Sequence, residues 1–179
     1  MGIPVGARSY AQAMLEIRPA ALAEFSLLPT IEAEADGLLT EINGRPLAAA
    51  LPCAATVQEF AAALHVLVAG RPPVGFARLE EIAGVPHLEQ LSVLPAFARQ
   101  GTGRALVNAA VAWAREAGYR QLTLCTFADV PFNAPFYASC GFAPDPCPGP
   151  ELLQVRIREK SLGLDDLGTR VVMRKKLRE

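Results

Sequence analysis

Residues 88–108 read Leu-Glu-Gln-Leu-Ser-Val-Leu-Pro-Ala-Phe-Ala-Arg-Gln-Gly-Thr-Gly-Arg-Ala-Leu-Val-Asn: an apolar strand, a Gly-Thr-Gly turn and the start of an alanine-rich helix. The first N–H groups of a helix lack intrahelical partners and carry partial positive charge, so a strand feeding such a turn makes an anion cradle. Gly101 and Gly103 have no Cβ, which permits a tight bend and a close approach of phosphate to the amides. Arg99 and Arg104 flank the turn with positive charge. The stretch predicts a ligand of the pyrophosphate type. Two other phosphate-binding patterns fail on spacing: a dinucleotide fingerprint needs a third glycine where Leu106 stands, and a P-loop needs a lysine that is missing here.

Downstream, Thr102 to Ala117 carries helical apolar spacing (Leu106, Val107, Ala110, Val111, Trp113, Ala114), and Gly118 follows at the C-cap. Gln121 to Phe127 then alternates in β-rich residues, which completes a β-α-β crossover and predicts two parallel neighbouring strands. Upstream, His65–Ala69, Val74–Ile82 and His87–Leu94 read as strands joined by Gly- and Pro-containing turns, an antiparallel meander. Thr56 and Glu59 form a capping box for a helix over Val57–Leu64. Nearer the start, Leu15–Arg18 is a short strand closed by Pro19; a helix from Ala21 breaks near Pro29, and another covers Ile31–Leu39, ending before Asn43-Gly44.

Past the crossover, Asn133–Cys140 is a short helix with Pro135 in its first turn, where a missing N–H does no harm. Residues 143–150 hold four prolines and read as a stiff connector without regular structure. Leu152–Lys160 is an amphipathic helix, and Thr169–Leu177 is a final strand. Residues 1–14 read as a flexible extension, and 15–179 as a single domain. The fold class is α/β: a mixed, mostly antiparallel central sheet flanked by helices.

Composition narrows the function. A formal charge of −1 argues against a nucleic-acid partner held by broad phosphate neutralisation. No stretch approaches the roughly 18 apolar residues of a membrane span, and no signal pattern opens the chain, so a cytoplasmic protein is expected. Cys53, Cys125, Cys140 and Cys147 are irregularly spaced with only His65 and His87 beside them, which predicts free thiols and no metal. A homodimer is the default expectation.

Three features now stand in a fixed order: Leu-Ser-Val-x-Pro leading to Arg-Gln-Gly-Thr-Gly-Arg-Ala-Leu, the crossover, and Asn-Ala-Pro-Phe-Tyr-Ala-Ser-Cys-Gly-Phe at 133–142. Together they resemble the GCN5-related N-acetyltransferase (GNAT) superfamily, whose members transfer an acyl group from coenzyme A to an amine. The family pattern is Gln or Arg, two variable residues, Gly, one variable residue, then Gly or Ala; here its first position falls on Ala98, with Arg99 following. The resemblance implies acetyl-CoA as co-substrate and an amine of a small molecule or peptide as acceptor. It implies cofactor contacts from Leu91, Ser92, Val93, Arg99, Gln100, Gly101, Thr102, Gly103, Arg104, Asn133 and Phe136. A non-catalytic acyl-CoA-binding module of the same fold is the alternative.

Attack of an amine on a thioester needs a neutral nucleophile, a stabilised oxyanion and a proton for the departing thiolate. Tyr137 is the candidate acid, because a phenol (pKa about 10) can protonate a nascent thiolate (about 8.5), and the resemblance points to the same residue. A tyrosine packed in the core competes with that reading. Asn133, one helical turn earlier, either meets the cofactor or caps the helix. Glu89 is the candidate base; a strand carboxylate in solvent or paired with arginine is the competing reading. Alternation puts His87, Glu89 and Leu91 on one strand face and Leu88, Gln90 and Ser92 on the other. His87 is a weaker candidate at a pocket rim. The oxyanion is expected to meet a main-chain N–H near Leu91–Val93, where the strand could splay from its parallel neighbour. Cys125 and Cys140 lack a paired His-Asp arrangement, which favours direct transfer over a thioester enzyme. Acceptor choice is expected from residues 27–45, 128–132 and 143–150, with Glu32, Glu34, Asp36 and Asp129 either welcoming a cation or merely solvated.

Overall fold

A computed structural model of the chain describes residues 16–37 and 51–178. The extension expected over 1–14, and the expected turn at Asn43-Gly44, lie outside the described residues.

Seven strands form one sheet in the order β1-β2-β3-β4-β5-β7-β6. They are β1 (Ile17–Pro19), β2 (His65–Ala69), β3 (Gly75–Ile82), β4 (Val85–Val93), β5 (Gln121–Phe127), β6 (Ala143–Pro144) and β7 (Arg170–Lys176). Every pairing is antiparallel except β4 with β5. The meander and the crossover thus form as expected, and the sheet is mixed and mostly antiparallel.

Helices cover both faces. α1 (Leu28–Asp36) and α2 (Val57–Ala62) accompany a core of Phe25, Leu28, Ile31, Phe60, Val68 and Phe76. α3 (Thr102–Glu116) and α4 (Ala134–Ser139) cover the opposite face, where Leu106, Val107, Ala110 and Ala114 meet Leu79, Leu88, Leu122 and Met173. Burying a leucine or valine of this kind stabilises by roughly 1.5–3 kcal/mol, so α3 is anchored along its whole apolar stripe. α5 (Pro150–Ser161) and α6 (Leu164–Leu167) precede β7.

Four local readings are corrected. Pro29 does not break a helix: residues 22–24 make only a 3-10 turn, and Pro29 lies in the first turn of α1, where its absent N–H is harmless. The capping box at Thr56 and Glu59 forms, but α2 stops at Ala62 because Ala63 is already extended. Within the connector 143–150, Ala143 and Pro144 form a short edge strand on β7, a position that tolerates proline. The strict alternation assigned to β4 fails at a bulge. Arg78 pairs with Gln90 but Leu79 pairs with Leu88, which leaves Glu89 as the extra residue. Beyond it the faces exchange, so Leu88, Leu91 and Val93 all join the core under α3, while Ser92 pairs with Phe76 on the other face.

Candidate functional site

The bulge and the crossover together open the molecule. β4 and β5 pair only at His87–Thr123 and Leu88–Leu124, and from Glu89 onward β4 has no strand partner on that side among the described residues. The Leu94 N–H donates to the Val74 carbonyl at 2.9 Å, so the alternation of an antiparallel ladder turns Ser92 towards β3 and the N–H groups of Leu91 and Val93 towards the gap. A cleft of about 1280 Å³ occupies it, running between the β4–α3 turn and the ends of α1 and α5.

At one end lies the turn. Gly101 is the N-cap of α3 with φ +90, and Arg99 also holds a positive φ of 58. Such backbone is unusual for a side-chain-bearing residue and clusters at functional sites. The first main-chain bond of the helix is Ala105 N–H to Gly101 O at 2.9 Å. Six successive N–H groups, Arg99 to Arg104, donate to no protein acceptor among the described residues. A Cβ built on Gly103 would touch the Phe136 ring at 3.8 Å, Leu91 at 3.9 Å and Val93 at 4.0 Å, so this glycine borders the cleft wall. The arrangement can bind an anion through main-chain donors alone.

Side chains beside the turn brace it, and of these Arg104 also lines the cleft. Arg104 donates to the Ser139 carbonyl at 3.0 Å and its hydroxyl at 2.7 Å, tying α3 to α4. Gln100 donates to Ala96 O, and the buried Thr102 hydroxyl donates to Phe97 O. Ser92 is buried and accepts from Gln90, off the cleft lining. Leu91, Val93, Arg99, Gly101, Gly103, Arg104, Asn133 and Phe136 do line it. Asn133 stands at the N-cap position of α4, but its side chain makes no cap bond.

Tyr137 is buried in the core, as the competing reading expected, and it also lines the cleft. Its hydroxyl makes no hydrogen bond to protein among the described residues, and burial beside Cys140 pushes the phenol well above its usual pKa. Cys125, also on the lining, is pushed up to about 12 by burial, which disfavours a nucleophilic thiolate. Glu89 projects from the bulge. Burial raises its pKa while Arg78, 4.0 Å away, pulls it back. His87 sits behind Glu89 and is only 1% exposed, not at the rim. Its Nδ1 meets the Thr123 hydroxyl at 2.9 Å, and burial with nearby Arg170 lowers its pKa to about 4.

The far end of the cleft is acidic, with Glu32, Asp36, Glu59 and Glu80 around Arg78. Burial raises Glu32 to about 7 and Asp36 to about 6. Glu34 and Asp129 are exposed and do not line it. Residues 143–150 also stay off the lining, and Arg158 and Glu159 of α5 take that place. Sequence reading passed over Arg78 and Glu80. Their signal was available: two charged residues at period two, which alternation places on one face of a strand whose first three residues are uncharged. Among the described residues no cluster of metal-ligating side chains occurs, and no helix is long and apolar enough to cross a membrane.

The family model for acetyltransferases (GNAT) matches residues 32–142, more than half of the chain. Solved structures share the fold along nearly their whole length. The Rv2747 protein of Mycobacterium tuberculosis, in complex with CoA and NLQ, is 18% identical with a TM-score of 0.62, covering 90% of this chain and 99% of that one. The ribosomal-protein-S18-alanine N-acetyltransferase of Escherichia coli is 19% identical with a TM-score of 0.61, covering 93% and 96%. The PaiA N-acetyltransferase of Thermoplasma acidophilum, in complex with coenzyme A, is 17% identical with a TM-score of 0.59, covering 90% and 98%. The family match takes in the splayed strands, the turn and α4, and on it the chain belongs to the acetyltransferase (GNAT) family.

Proposed function

We propose that the protein is an N-acetyltransferase that moves an acetyl group from acetyl-CoA to a primary amine of a small molecule or peptide by direct attack. The observation that carries this reading is the run of unpartnered N–H groups from Arg99 to Arg104, opening onto the same cleft as Glu89 and Tyr137. The cradle fits a diphosphate, since its donors are main-chain amides and Gly103 leaves room beside Leu91 and Val93. Acetyl-CoA supplies an activated acyl thioester.

The chain's own groups divide the remaining work. The cradle holds the diphosphate, flanked by Phe136, Asn133 and the exposed Arg99. The N–H groups of Leu91 and Val93 face the gap and stabilise negative charge developing on the acyl oxygen. Glu89 takes a proton from the incoming ammonium, and its raised pKa brings it nearer to that task. Tyr137 keeps its proton across the neutral range and gives it to the leaving sulfur. The high pKa at Cys125 supports direct transfer over an acyl-cysteine route. Residues 15–179 act as one domain, in a cytoplasmic protein that pairs as a homodimer.

The test is a thiol-release assay with acetyl-CoA across amines, amino acids, polyamines, aminoglycosides and short peptides, run beside calorimetry of acetyl-CoA binding. Turnover with at least one amine is the expected result. Tight acetyl-CoA binding with no turnover across the panel points to the non-catalytic module instead.

A further inference from the structure

Arg78 stands on β3 with its side chain against the cleft wall, and only 8% of the residue is exposed. Its guanidinium lies over the Phe60 ring, 5.6 Å from the centroid. A guanidinium carries five N–H donors and no acceptor. Among the described residues none of the five finds a hydrogen bond. Nε is sealed without a partner, and the nearest carboxylates, Glu80 at 3.6 Å and Glu89 at 4.0 Å, stand beyond hydrogen-bond reach. Buried polar groups are hydrogen-bonded as a rule, and a buried charge left without such bonds is costly. Only Nε is sealed, so the two Nη groups remain open to whatever enters the cleft.

We infer that Arg78 binds a carboxylate of the acceptor, and that the acceptor is a small zwitterion whose amine lies next to that carboxylate, as in a free α-amino acid. The inference rests on the proposed transfer to an amine at this cleft. A planar guanidinium matches a carboxylate in two parallel hydrogen bonds. Glu89 then receives the ammonium. Its 4.0 Å separation from Arg78 is too wide for a direct hydrogen bond, yet adjacent ammonium and carboxylate groups of one molecule reach both. The same contact places the amine against the proposed base. A diamine drawn by Glu32, Asp36 and Glu80 would use the acidic end but leave Arg78 without an acceptor.

The experiment compares matched pairs that differ only by the carboxylate: L-leucine with isoamylamine, L-lysine with cadaverine, and L-phenylalanine with phenethylamine. The full chain is assayed for thiol release with acetyl-CoA. For the best pair, kcat/KM of the amino acid is expected to exceed that of the amine by about 30-fold, since a buried bidentate contact is lost without the carboxylate. In Arg78→Gln that ratio falls towards one while the acetyl-CoA Kd holds, and Arg78→Lys restores part of it. The wild-type preference needs no variant and stands as a test if Arg78→Gln does not fold. Equal or better use of the amines overturns the inference, as does an Arg78→Gln variant that lowers both members of a pair alike. Turnover confined to peptides also overturns it and leaves the transfer reading intact; no turnover of any amine removes both.

Discussion

Tyr137 is packed in the core and lines the cleft, with Phe136 and Phe142 as aromatic neighbours at 5.1 and 5.9 Å between centroids. Tyr137→Phe keeps the packing and removes the proton; kcat is expected to fall roughly 100-fold with acetyl-CoA affinity unchanged, and an unaltered kcat with chemistry rate-limiting contradicts the role. Glu32 offers a stability test. Burial lifts its pKa from 4.5 to about 7, so the folded state holds the proton more tightly than the unfolded chain does. Its protonated form supports the fold fully below pH 4.5, and that support is lost as the pH rises through 7. Glu32→Gln ends the titration while its amide oxygen still accepts from the Ala55 N–H. The variant is expected to exceed the parent at pH 8 by up to about 3 kcal/mol in urea unfolding; equal stability at pH 8 contradicts the assignment. Glu89 and Tyr137, both on the cleft lining, were singled out as candidates in the sequence because their residue types stood at informative places in the chain. Arg78 was not, because its role comes from the pairing of β3 with β4 and from Phe60, which lies 18 residues away in sequence (78 minus 60).

On the proposed function, the β4–α3 segment does its work with main chain. Gln100, Thr102 and Arg104, named from the sequence among the cofactor contacts, have side chains that bond to Ala96, Phe97 and Ser139 and so brace the turn. That division follows from geometry: a helix start points several N–H groups one way, whereas neighbouring side chains radiate. Gly103→Val tests it. A single Cβ meets its neighbours at ordinary contact distances, so the fold tolerates it, but a branched side chain intrudes where a diphosphate must approach. Acetyl-CoA affinity is expected to fall roughly 100-fold by calorimetry, the equivalent of two charge-assisted hydrogen bonds, with the thermal midpoint of the free protein little changed. Undiminished affinity contradicts the placement of the cradle. The turn, α3 and β5 were readable because glycine placement and periodicity are local signals. The bulge at Glu89 was not: it depends on how two strands register, and one extra residue exchanged the faces of everything after it.

Two cores on opposite faces of a single sheet hold the strands that carry the site, so the gap between β4 and β5 persists inside a stable frame. The cleft that results is electrostatically divided. Main-chain donors dominate the end at the head of α3, and carboxylates dominate the end beneath α1, with Leu91, Val93, Phe136 and Tyr137 between them. On the proposed function, a diphosphate-bearing donor enters from one side and an amine from the other, and their reacting atoms meet where β4 has lost its parallel neighbour. The central claim is that the amides of Arg99–Arg104 grip the diphosphate. It is tested most directly by a crystal structure of the protein with saturating acetyl-CoA. The account predicts diphosphate oxygens within about 3 Å of several of those nitrogens and the thioester carbonyl beside the Leu91 or Val93 N–H. A diphosphate bound elsewhere, or cradle amides found bonded to protein carbonyls, would contradict it.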